Sequence, residues 1–154
     1  MTSDGAAESG DTERRGSFAP DSWAAADARY DALGPTAQTV VREVARAMAF
    51  DREEYDDRVT GDVVETARQT LFAETLAVRV GPRGAFDAWR ETYPDDVRVA
   101  GSDNVDRVAW HVSPAAGAAV AATFQNEPDA AVSTVRRMAF NRLNRERLTA
   151  GETE

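Results

Sequence analysis

The chain has 154 residues, 42% of them apolar and 29% charged, with 27 acids against 18 bases and a formal net charge of −9. That length suits one domain with a sizeable core, and the composition is that of a soluble globular protein rather than a membrane or fibrous one. All 18 bases are arginine, and the lack of lysine and cysteine excludes thiol nucleophiles, disulfide frames, thiolate metal sites and lysine Schiff-base or P-loop chemistry. An acid excess without lysine reads as adaptation to molar salt, where a Debye length of ~3 Å screens self-repulsion. An acidic protein from a GC-rich genome is the plainer alternative. The absence of cysteine fits a cytoplasmic location.

Residues 1–19 are Gly, Ser, Ala and acids with Phe18 as the one large apolar side chain, so they read as a disordered acidic tail. This tail lacks the apolar stretch of a signal peptide, and no later segment has the ~20 apolar residues of a membrane span. Asp21 or Ser22 caps a first helix carrying Trp23, Ala26, Tyr30 and Leu33, which Gly34 ends. Pro35 opens a second, with Ala37, Val40, Val41, Val44, Ala47 and Met48 along one stripe. The acidic run after Phe50 forms a short helix. A third long helix follows, with Asp62 and Glu65 at capping-box spacing.

Leu76 to Val80 alternates and stops at Gly81-Pro82, which reads as a strand. Ala85 to Thr92 is a short helix anchored by Phe86, Trp89 and Tyr93. Val105 to Val112 and Ala119 to Gln125 read as two further strands joined by a turn at Pro114 to Gly117. In the first of them Val108, Trp110 and Val112 share a face opposite His111. A last helix spans about Asp129 to Leu148, and residues 149–154 fray. The expectation is one α+β domain over residues 20–148, of order α-α-α-β-α-β-β-α. A helical N-terminal half precedes a small, mainly antiparallel three-stranded sheet packed by helices.

Several strings carry a resemblance: Gly34-Pro35-Thr36-Ala37-Gln38-Thr39-Val40-Val41-Arg42-Glu43-Val44, the stretch from Val59 to Arg68, Val108-Ala109-Trp110-His111, and Ala122-Thr123-Phe124-Gln125. Together, over about Ala32 to Arg142, the chain resembles a family of uncharacterised haloarchaeal proteins. The resemblance implies a haloarchaeal source and a cytoplasmic location. It implies no activity, cofactor or catalytic residue.

His111 is the natural general base, with Asp103, Asp106 and Ser113 close in sequence, but no motif surrounds it and a plain strand histidine is the better reading. The acids from Asp51 to Asp62 lack the spacing of a calcium loop and read as a solvated face. Gly81-Pro82-Arg83-Gly84 lacks both the dinucleotide and the P-loop pattern and reads as a turn, with a loose anion site at the helix start as the sharper alternative. No cofactor or metal is implied.

The last helix is the most informative feature. From Val132 to Leu148 it sets Arg136, Arg137, Arg142, Arg145 and Arg147 against Glu146 alone. On a regular wheel Val132, Val135, Met138, Ala139 and Leu143 form the buried stripe, and Phe140 falls outside it among Arg136, Arg137, Asn144 and Arg147. On the plainer reading the cations complement the helix dipole and the first helix or a tail covers Phe140. An exposed aromatic among arginines would instead dock a protein partner or a second copy. Nucleic acid ranks below these, because five phosphate contacts give a salt slope of about −4.5 and such binding fades in molar salt. The first reading is therefore a non-enzymatic protein-interaction module using this helix. A ligand pocket or enzyme site around His111 is second, and a nucleic-acid-associated protein third.

Overall fold

The structure, a computed structural model, describes residues 12–102 and 104–149. It is α+β, and the sheet is larger than the expected three strands. Five strands, β1 (Glu13–Arg15), β2 (Val78–Pro82), β3 (Asp96–Ala100), β4 (Arg107–Ser113) and β5 (Ala118–Phe124), form one mixed sheet of order β1-β2-β4-β5-β3. All neighbours are antiparallel except β3 and β5, which run parallel. The helices are α1 (Trp23–Ala47), α2 (Arg52–Arg58), α3 (Gly61–Glu74), α4 (Arg83–Thr92) and α5 (Pro128–Met138). α5 continues through a π-helical turn (Ala139–Asn144) into α6 (Arg145–Thr149).

Both strands absent from the expected set are edges. β1 lies inside the segment read as a disordered tail, so that tail does not extend to residue 19; residues 1–11 lie outside those described. Three residues suffice for β1 because the next segment is pinned as well. The N–H groups of Ser17 and Phe18 both reach the Thr75 carbonyl (3.3 and 3.0 Å), and the Ala77 N–H reaches the Phe18 carbonyl (2.9 Å). Gly16 makes the turn at φ +79°, where a Cβ would stand 2.5 Å from the Leu76 carbonyl oxygen. β3 has only Val97 and Val99 as its apolar pair. It joins the sheet beyond β5, and Gly101, at φ +107°, carries the chain back past Thr123 at the end of that strand.

Helix α1 corrects a second expectation. Gly34 and Pro35 do not separate two helices; both lie inside one of 25 residues, capped by the Ser22 hydroxyl, which accepts from the Ala25 N–H (3.1 Å). Proline inside a helix removes one backbone donor and crowds the preceding turn. Pro35 leaves the Asp31 carbonyl, four residues back, without its helical N–H, and Arg68 of α3 packs against the same turn. Its Nε donates to the Tyr30 carbonyl (2.8 Å), its guanidinium reaches Asp31 (3.4 Å) and lies 4.1 Å over the Tyr30 ring.

Two caps differ from the spacing argument in detail. Thr60, not Asp62, caps α3, its hydroxyl accepting from the Val63 N–H (3.3 Å). The reciprocal capping box belongs to α2, between Asp51 and Glu54. Part of the acidic run thus serves helix initiation on an exposed face.

The sheet has two unequal coats. Val78, Val80, Ala109, Val120 and Ala122 face α1, α3 and the terminal helical run. There Phe72 is the hub, meeting Phe18, Tyr30 and Phe140 edge-on at 5.8, 5.8 and 5.9 Å. Each such pair adds about 0.5–1.5 kcal/mol beyond burial. The opposite face has only α4, whose Phe86 and Trp89 cover Val108 and Trp110. Ten residues of helix cannot cover five strands, and part of that face stays open.

Candidate functional site

The terminal run is not a regular α-helix, and this moves the predicted site. Buried positions follow Val132, Val135 and Ala139, then Phe140, Asn144 and Leu148. Val135 and Phe140 are five residues apart, and the last three are spaced by four. One extra residue in the π-helical turn rotates everything after it by about 100° relative to the wheel. Phe140, expected outside the buried stripe, is therefore only 3% exposed, and Asn144 only 1%. The Asn144 amide donates back to the Ala139 carbonyl (3.0 Å), five residues earlier, and the Arg145 N–H bonds the Phe140 carbonyl at the same spacing. Asn144 is thus a fixture of the turn rather than a contact residue.

The five arginines divide. Arg136 lies between α5 and β2: its Nε donates to the Leu76 carbonyl (3.1 Å), and Glu74 is 4.0 Å away. Arg137 is exposed. Arg147 reaches Asp27 (3.5 Å) and lies 5.5 Å over the Trp23 ring, tying the end of the chain to α1. Arg145 lies 5.2 Å over Phe140 and bonds Asn141 (2.9 Å). Arg136, Arg137, Phe140 and Arg145 share one groove of about 370 Å³ between α3 and the terminal run, where Glu74 is the single acid. Asn144 and Arg147 do not line it. Arg142 turns instead toward a separate hollow beside β3.

His111 lies on the heavily coated face and is 1% exposed. Its Nδ1–H donates to the Ala77 carbonyl (2.7 Å), which leaves Nε2 without a partner among the described residues. Burial pushes its pKa below the usual histidine value, and the nearby Arg136 guanidinium adds to that, with the Ala77 bond opposing. The suggested companions do not assemble. Ser113 is buried, and its hydroxyl accepts from the Ala116 N–H (3.2 Å) in the turn after β4. Asp106 offers its carbonyl to the Arg83 N–H (2.7 Å), and Asp103 lies outside the described residues. Together His111 and Arg136 hold the consecutive carbonyls of Ala77 and Leu76, an arrangement that fixes the start of β2.

Arg83, the candidate for a loose anion site, is also occupied: it donates to the carbonyls of Val105 (2.8 Å) and Ser102 (3.1 Å), clamping the loop before β4. Among the described residues no three His, Asp or Glu side chains converge as a metal set, and no helix is long and apolar enough to cross a membrane.

The sequence reading missed one surface. Of the stripe expected to be buried on the second helix, Ala37 and Val41 are buried, while Val40, Val44 and Met48 stand 39%, 52% and 60% exposed. Val63 of α3 is 42% exposed as well. The signal was present in the width of the stripe, which is broader than one neighbouring helix can cover.

No curated protein and no solved structure matches this chain, so fold likeness offers no functional guide. One family description does match, over residues 17–145, from the segment that pins β1 to the first residue of α6. The chain belongs to that family, the family of unknown function DUF5809.

Proposed function

We propose that this chain is a non-enzymatic interaction module of a salt-rich haloarchaeal cytoplasm, and that it acts by pairing with a second copy of itself. The observation that carries this reading is the exposed row Val40, Val44 and Met48 on an otherwise charged and acidic molecule. Exposed large apolar side chains are common singly, but a row at four-residue spacing marks a contact surface. With Phe140 buried, the apolar contact that the terminal helix was expected to supply comes from α1 instead.

A twofold axis through Val44 sets Val40 of one copy against Met48 of the other, so the row complements itself in antiparallel packing. Glu43 beside it is already paired with Arg46 (3.2 Å), which limits repulsion along the seam. At −9 per chain, two copies repel at low salt and are screened at high salt, whereas apolar burial is undiminished. Association therefore strengthens as potassium chloride rises.

Sedimentation of the full chain from low to molar salt tests this, beside Val44→Asp. The expected result is a dimer at high salt that the substitution returns to monomer. A wild type monomeric across the whole range overturns the reading.

A second reading keeps the terminal run as the contact. Three arginines against Glu74 line the α3 groove, and they would suit an acidic segment of another protein. That contact weakens as salt rises, the opposite sign. Nucleic acid ranks below both, for the salt reason given above.

A further inference from the structure

We propose that Arg14, Arg79 and the hollow beside Trp110 form a binding site for a phosphate group, inorganic or carried on a small molecule. The site lies on the lightly coated face of the sheet, apart from both surfaces considered above. Strand register places it. Arg14 pairs with Arg79 across β1 and β2, Arg79 with Trp110 across β2 and β4, and Trp110 with Ala121 across β4 and β5. Directly opposed residues in neighbouring strands share a face, so these four form one row.

Two arginines opposite each other are an unfavourable cross-strand pair, since like charges in that position destabilise a sheet. In a chain with 27 acids a compensating carboxylate would be easy to place. None is there: among the described residues neither Arg14 nor Arg79 takes part in an ion pair. Glu13, the nearest acid in β1, alternates to the other face and pairs there with Arg15 (3.1 Å). Both arginines are exposed and instead line one hollow of about 120 Å³, shared with Ala19 and Val112 beside Trp110.

Ligand class follows from charge and size. Two guanidinium forks match a group of charge near −2 better than a single carboxylate, and a phosphate monoester carries about −1.5 to −2 at neutral pH. The hollow is well under the roughly 300 Å³ of a site for a drug-sized molecule, so it takes a head group rather than a whole nucleotide. Trp110 is itself only 2% exposed, so the apolar wall open to a substituent on that group is Ala19 and Val112.

The test is thermal unfolding and calorimetry of the full chain with potassium phosphate, at ionic strength held constant with potassium chloride. Arg79→Gln and Arg14→Glu are compared with wild type, and Arg52→Gln, on exposed α2, is the control. Phosphate is expected to raise the wild-type and control Tm saturably. Each site variant should lose tenfold or more in affinity, the scale of one charge-assisted hydrogen bond.

Arg14→Glu adds a check on folding. It turns the opposed pair into an ion pair, so without phosphate its Tm should rise by about 1–4 °C while the phosphate response disappears. A wild type indifferent to phosphate overturns the proposal, as does a response of undiminished affinity in either site variant. So does an Arg14→Glu protein that melts below wild type, because the opposed arginines would then be structural. Phenyl phosphate separates the two sources: tighter binding than inorganic phosphate assigns the site to a phosphate ester, and equal binding to the free ion.

Discussion

Truncating Phe140 distinguishes a core aromatic from a contact residue. Its ring is 3% exposed, meets the Phe72 hub edge-on at 5.9 Å and lies under the Arg145 guanidinium at 5.2 Å. Phe140→Ala removes that burial and leaves a cavity between α3 and the π-helical turn. Substitutions of this kind cost about 3–5 kcal/mol, a large part of the 5–15 kcal/mol that holds a domain together. For a chain of this length about 2–4 °C of Tm goes with each kcal/mol, so the variant should melt roughly 6–20 °C below wild type. Phe140→Leu, which refills most of the space, should lose clearly less. An aromatic projecting from the surface would behave otherwise, with changes within about 0.5 kcal/mol. Urea unfolding followed by circular dichroism gives the number directly. A Phe140→Ala protein within 1 kcal/mol of wild type would refute the rotated register of the terminal run.

His111 carries a sign that can be checked. Its folded pKa lies below its unfolded value of about 6.5, so the unfolded chain binds the extra proton; stability is complete above that pH and falls as pH drops through it, by at most about 1.4 kcal/mol per pH unit. As the one histidine in the chain, it should take this slope between pH 7 and 5.5 with it in His111→Gln, measured as the urea midpoint at each pH. Arg68→Ala should cost about 1–3 kcal/mol by removing the guanidinium bond to the Tyr30 carbonyl and the contact over the Tyr30 ring. Measured beside Tyr30→Leu, the two losses should fall short of additive because the ring contact is shared, and additive losses would contradict that coupling.

Much of this fold is legible in short-range pattern. The alternation at Val108, Trp110 and Val112 assigns β4 and its two faces correctly, and the short helix over Arg52–Arg58 follows from the acids that start it. Two of the misses depend on a partner distant in sequence, and the third on a local break in the helical repeat. Glu13–Arg15 has no strand character of its own and becomes β1 because the β2 edge and the Thr75 carbonyl hold it. Pro35 reads locally as a helix start, and it is packing against α3, some thirty residues later, that carries the helix through it. The π-helical turn is the sharpest case. A wheel assumes a fixed angle per residue, and one extra residue exchanged Phe140 from outside the buried stripe to inside it. Asn144 was the available signal, an amide able to satisfy a carbonyl five residues back, but that role shows only once the turn exists.

The surfaces left over answer salt differently, and that orders the functional readings more firmly than affinity does. Pairing through Val40, Val44 and Met48 brings together two chains of charge −9 by apolar contact, so screening removes an opposing force and leaves the favourable one. The arginine groove against an acidic partner and the Arg14–Arg79 site against phosphate both depend on opposite charges, and added salt weakens both. These two differ in turn by stability. In the groove Arg136 has the Leu76 carbonyl and Arg145 has Asn141 and the Phe140 ring, so removing either costs the fold something. Among the described residues Arg14 and Arg79 face each other without an ion-pair partner, and the fold is expected to gain when one is replaced by an acid. A site that destabilises its own apoprotein is the pattern expected where binding, rather than folding, is what the residues serve.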